Sequence, residues 1–199
     1  MGLCLAQEPE ADAFITKNPI ALLVGMVLDQ QVRLEGAFAA PLELQRRLGF
    51  PLTAASIASC DRDTLIEAFT AYQPLHRYPV SMGDRVQRLC VMVVEEYDGD
   101  PERIWKTAKD GGELVSRMEA MPGFGKPKAR IFTALLGKQL GCQPTGWREA
   151  SKPYGDDGTR MSVADITDKE TLGEVRTFKA KEKARAKAAA EAKKRAATA

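Results

Sequence analysis

Residues 121–129, Met-Pro-Gly-Phe-Gly-Lys-Pro-Lys-Ala, constrain this chain more than any other stretch. A turn carrying Gly123 and Gly125 separates two segments of helical periodicity. Leu114, Val115, Met118 and Met121 recur at helical spacing before it, and Phe132, Leu135, Leu136 and Leu140 recur after it. Two helices joined by Gly-x-Gly leave main-chain N–H groups unpaired at the start of the second helix. Such a start is suited to an anion, and a phosphate fits it. Lys126 and Lys128 flank the turn and are expected to add positive charge. An ordinary helix–helix connection is the alternative.

A second segment carries its own helix signals. Asn18 is a good N-cap and Pro19 suits the first helical position. Ile20, Leu23, Val24, Val27 and Leu28 form an apolar stripe. Extended by eleven residues from Ile20, the stripe meets Gln31, with Gln30 beside it. An amide there has two readings: a helix end reaching solvent, or a group that meets a ligand.

The Met-Pro-Gly-Phe-Gly turn between helices resembles the hairpin of the helix-hairpin-helix (HhH-GPD) superfamily of base-excision DNA glycosylases. Asn18-Pro19-Ile20 through Leu28-Asp29-Gln30-Gln31 is similar to that family's early helix, which ends in a glutamine signature. The resemblance covers roughly residues 15–145. It implies an all-α fold of two helical lobes with a cleft between them. It also implies a hairpin (about residues 112–140) that grips duplex DNA through the main chain of Gly123, Phe124 and Gly125, often with a monovalent cation. Lys126 and Lys128 are placed beside the DNA, and Gln31, or Gln30 in its stead, helps fill the gap left by an extruded base.

The same resemblance locates departures from the family's chemistry. The lysine nucleophile of its lyase members is the second residue after the second glycine, here Pro127, so a Schiff-base lyase is not expected. The family's catalytic aspartate follows the next helix and a short loop, which in this chain is Pro144-Thr145-Gly146-Trp147, without an acid. A longer loop delivering Asp156 or Asp157, or Glu149 reaching in beside Trp147, are the candidate replacements. The enzyme implied is a monofunctional N-glycosylase. A non-catalytic DNA-binding protein is the alternative, and a helical interaction module whose tail binds RNA or an acidic partner is a third reading.

Other sequence features bound these readings. Four cysteines at positions 4, 60, 90 and 142 are too scattered for a disulfide framework or a metal knuckle, and Cys90 sits in an apolar run as a core residue. Some relatives of the resembled family hold an iron–sulfur cluster on clustered C-terminal cysteines; none follows Cys142 here, so no cluster and no side-chain metal site is expected. His76 is the one histidine, expected at the surface or in packing. No apolar run is long enough for a bilayer and no secretion signal is recognised, so a cytoplasmic location without a membrane partner is expected.

Strand signals are scarce. Helices are expected at Leu34–Leu48 with a bend or break near Pro41, at Thr53–Cys60 and Asp61–Tyr72, from a Ser81 cap to near Tyr97, and at Pro101–Ala108. Asp110 is expected to cap the helix that enters the hairpin. Residues 141–158 read as the longest loop, and a late helix begins near Thr167 or Asp168. Charge divides the chain. Nine of the 29 Lys/Arg and two of the 27 Asp/Glu fall in residues 176–199, giving +7 there and −5 in residues 1–175. The chain therefore reads as a domain over 1–175 followed by an Ala-rich basic tail. That tail is expected to be an exposed helix or a disordered arm, serving either as a solubilising end or as a nonspecific nucleic-acid clamp.

Overall fold

The computed structural model describes residues 2–196. It is all-α: eleven α-helices and one 3₁₀ turn, with no strand among the described residues. The elements are α1 (Pro9–Lys17), α2 (Pro19–Leu28), α3 (Leu34–Leu48), α4 (Ala54–Ala58), α5 (Arg62–Thr70), α6 (Pro79–Tyr97), α7 (Arg103–Lys106), α8 (Gly111–Ala120), α9 (Lys126–Gln139), α10 (Trp147–Ala150), a 3₁₀ turn (Val163–Asp165) and α11 (Lys169–Ala196).

α2 is the centre of the first set of helices. Every residue from Ile20 to Leu28 is buried, so the helix is apolar all round rather than along one stripe. α1, α3 and α6 pack around it, with α4 and α5 laid against α6. Asn18 creates the corner between α1 and α2, which meet at a bend of 115°. Its side-chain oxygen accepts from the N–H groups of Ile20 (3.1 Å) and Ala21 (3.2 Å), and its amide nitrogen donates to the carbonyl of Leu52 (2.9 Å). One residue thus ends α1, starts α2 and ties both to the segment before α4.

The second set is built on the α8–α9 hairpin. Asp110 caps α8 by accepting from Glu113 N–H at 2.8 Å. α7 and α10 pack on the hairpin, and the 3₁₀ turn packs on α9. Trp147 is seated where Gly111 and Gly137 leave room, since a Cβ at either glycine would stand 2.4 Å from the tryptophan. That makes Trp147 a buried packing residue. The two sets share one continuous hydrophobic core that runs from Leu3 to Val175 and includes Cys90. No single described helix is long and apolar enough to cross a membrane.

Several expectations change in detail. α1 carries no signal strong enough to have been expected. α3 runs through Pro41 as one helix. α6 starts at Pro79 rather than at a Ser81 cap, because proline at the first position needs no acceptor for its missing N–H. The helix expected over Pro101–Ala108 is confined to the single turn of α7. The boundary between residues 175 and 176 falls inside α11: Leu172 and Val175 are in the core, and the side chains are exposed from Lys179 to Glu191.

Candidate functional site

The turn of the hairpin is a type II turn. Phe124 N–H donates to the Met121 carbonyl at 3.0 Å, Pro122 holds the second position, and Gly123 has φ of +90°, the conformation the third position requires. Phe124 is buried, with its ring edge-on to Phe132 at 5.8 Å between centroids. It therefore anchors the turn from beneath. Its N–H is already committed, so the expectation that Phe124 contacts a ligand is corrected: neither its ring nor its N–H is free to do so.

Gly125 is the N-cap of α9 and exposed, with extended backbone and no side-chain cap. Nothing lies within 4 Å of where its Cβ would be. Among the described residues, no main-chain carbonyl accepts from the N–H groups of Gly125, Lys126 or Lys128, and Pro127 has none. The first turn of a fourteen-residue helix therefore meets solvent with free donors and the positive end of its dipole. Lys126 is exposed beside it.

Lys128 behaves differently from its expected role. Its ammonium turns inward and donates to the carbonyls of Met26 (2.5 Å), Val27 (3.5 Å) and Asp29 (3.5 Å) at the C-terminal end of α2. A cation there satisfies carbonyls that the helix leaves over and meets the negative end of its dipole. Burial, with Arg85 and Lys179 nearby, lowers the Lys128 pKa from 10.5 to about 8 against the opposing pull of Asp29. Lys128 is thus a strut between hairpin and α2 rather than an outward phosphate ligand.

Gln31 does not continue the stripe of α2, because that helix ends at Leu28. Gln30 N–H bonds to the Leu28 carbonyl at 2.6 Å, and Gln31 takes a left-handed conformation with φ of +56°. Gln30 nonetheless reaches the hairpin through Arg85. Gln30 donates to Val27 O (2.7 Å) and accepts from Arg85 of α6 (3.3 Å). The Arg85 side chain in turn lies against Gly123, with its Cδ 2.8 Å from the place of a Cβ there. Gln31 is exposed and its side-chain oxygen accepts from the Tyr78 hydroxyl at 3.4 Å. His76 is buried, not at the surface: Nδ1 accepts from Tyr78 N–H (3.0 Å), which leaves Nε2 to donate to the Gln30 carbonyl (2.8 Å). The glutamine turn is held from two sides.

Beside this turn lies an open depression of about 460 Å³, bordered by Asp29, Arg33 and Glu35 on one side and by Leu172, Arg176 and Lys179 of α11 on the other. Its size falls in the range of small-molecule sites. Arg176 pairs with Glu35 Oε1, and the buried Oε2 has no partner among the described residues.

The three acids proposed as catalytic replacements are held by contacts of loop 141–158. The Asp156 carbonyl accepts from Lys138 (2.7 Å) near the far end of α9, and Lys138 stands about 18 Å along that helix from Lys126. Asp157 pairs with Arg148 (2.5 Å) and Glu149 with Lys152 (2.6 Å), all at the surface. Lys138 holds loop 141–158 through the Asp156 carbonyl and pairs with buried Asp165 beyond it at 2.7 Å, while Arg130, nearer the start of α9, donates to the Lys152 carbonyl at 3.5 Å. The structure thus holds Asp156 toward the end of α9 away from the turn and engages Asp157 and Glu149 in surface ion pairs. Asp29 beside Lys128 and Glu119 in the last turn of α8 are acids near the turn, and Glu35 borders the depression.

No family model, no curated protein and no solved structure matches this chain. The class defined by fold and site is an all-α protein with a helical hairpin whose second helix presents an open, basic-flanked N-terminus.

Proposed function

We propose that the protein binds duplex DNA through the hairpin and acts in base-excision repair, as the resemblance of its turn and glutamine helix implies. One observation carries the reading: free main-chain donors at Gly125, Lys126 and Lys128 in a position where a Cβ would meet only open space. Phosphate is the anion that such a helix start takes from a nucleic-acid strand. Gln31, exposed beside Tyr78, is the residue for the gap left by an extruded base, and the depression beside Asp29 is the place for the base itself.

As an enzyme the protein would cleave the N-glycosidic bond without lyase chemistry. Asp29 would stabilise the cationic sugar or orient the attacking water. A monovalent cation would sit on the hairpin carbonyls, as the resemblance implies. The second reading is a DNA-binding protein without catalysis. It is favoured by the surface ion pairs that engage Asp157 and Glu149 and by the place of Asp156 toward the far end of α9.

Gly125→Asp tests the grip. A carboxylate at this N-cap accepts from the free donors of α9, preserves the helix, and repels phosphate. Fluorescence anisotropy on labelled duplex DNA should show binding reduced at least tenfold with the melting temperature unchanged; wild-type affinity would end the reading. Incubation with a panel of base-damaged duplexes then separates the two forms. Abasic product that disappears in Asp29→Asn supports the enzyme, and no product from wild-type protein supports the non-catalytic protein.

A further inference from the structure

The basic segment of α11 has a face. At about 100° per residue, Arg176, Lys179, Lys183 and Lys187 fall within an arc of about 80°, whereas Lys181 and Arg185 point to the opposite side. The four form a row about 16 Å long, with successive cations about 4.5–6 Å apart along the axis. The row begins at the site. Arg176 is pinned to Glu35 and Lys179 borders the depression shared with Asp29, close enough to act on the charge of Lys128. Beyond Lys179 the helix leaves the body of the protein, and its side chains are exposed to Glu191. Among the described residues no salt bridge engages Lys179 or Lys183, Lys187 stands 4.0 Å from Glu191, and on the other side Arg185 pairs with Glu182 at 3.0 Å.

We infer that this face is a phosphate track: duplex DNA seated at the hairpin continues along α11, with Lys179, Lys183 and Lys187 meeting successive phosphates. A row of like charges on a helix repels itself, and a polyanion relieves that repulsion. An anionic membrane is the other surface rich in phosphate. Lying on one requires an apolar face, and the exposed part of α11 offers alanine with charge around it. The chemistry favours nucleic acid.

The inference extends the hairpin reading but is tested on different residues. Two variants with the same change of net charge are compared, K179E/K183E on the row and K181E/R185E off it, in the full-length chain. Binding of labelled duplex DNA is measured by anisotropy over a salt series, with helix content followed by circular dichroism. The row variant should lower the log–log salt slope by about two, since each phosphate contact contributes about 0.9. The off-row variant should leave the slope unchanged. Equal effects from both variants, or none from the row variant, would overturn the track. So would preferential binding of single-stranded RNA, or binding of the wild type to phosphatidylserine vesicles but not to DNA. A Gly125→Asp protein that loses affinity while the row variant behaves as wild type would leave the hairpin grip standing and remove the track alone. The converse would do the opposite.

Discussion

Arg85 lies across Gly123 so closely that its Cδ would stand 2.8 Å from any β-carbon placed there, and two Val27 methyl carbons would stand 3.2 Å away. The hairpin turn is therefore shaped by α2 and α6 as well as by its own sequence. Gly123→Ala meets a left-handed backbone and a crowded site together, and should cost about 1–3 kcal/mol. Gly125→Ala meets neither and should fall within about 1 kcal/mol of wild type. Thermal melts of the two variants check this, the first falling by several degrees.

Lys128 makes stability depend on pH. Burial lowers its pKa from 10.5 to about 8 in the folded protein. Between those values the unfolded chain holds a proton that the folded protein lacks, so this group makes stability rise with pH from about 8 to about 10.5 and contributes no slope below. The full effect is on the order of 3 kcal/mol. Denaturant melts of wild type and Lys128→Met should diverge in slope across that window and run parallel at pH 6–7. Comparing the two also removes the opposing slope from Cys90, whose buried thiol is pushed up to about 12.

Lys138 and Asp165 form the ionic lock at the other end of α9. Lys138 also donates to Thr159 (2.9 Å), and Asp165 accepts from the N–H groups of Met161 (2.8 Å) and Ser162 (3.1 Å). Lys138→Met leaves the carboxylate buried without its cation and should destabilise by about 3–5 kcal/mol. The double variant Lys138→Met/Asp165→Asn should recover part of that loss, measured by urea unfolding. DNA binding should persist wherever the protein is folded, because the lock lies far from the free donors.

Asn18 holds a corner with two different bonds. Asn18→Ala should cost about 1–2 kcal/mol through loss of the cap. Asn18→Asp keeps the cap but sets a carboxylate oxygen against the Leu52 carbonyl, so it should be less stable than wild type. Equal stability of Asn18→Asp and wild type would show that the Leu52 bond contributes nothing.

Features decided by neighbouring residues were legible in the sequence. The α8–α9 hairpin, its Asp110 cap, the Asn18–Pro19 start of α2 and the beginning of α11 each rest on signals within a few positions. α1 was not legible, because it buries only Ala11, Asp12 and Ile15, and Asp12 serves the N–H groups of Leu5 and Ala6 outside the helix. Gln31 was placed by extending the period of α2 past its true end at Leu28. At the site, the inward turn of Lys128 depends on the carbonyls of α2, a hundred residues earlier. Arg85, Asp29 and Lys179 come from three separate elements, and no spacing within the chain links them. The contacts that fix loop 141–158, from Lys138 and Arg130 to its main-chain carbonyls, have no local sign in the sequence.

The two ends of α9 live under different regimes. One is fastened by an internal charge pair, while the other turns its first main-chain donors to solvent. Loop 141–166 can thus change in length or composition while its fastening at Lys138 survives, about 18 Å along the helix from Lys126. A chain arranged this way can vary at one end of α9 while the exposed donors at the other end keep their place.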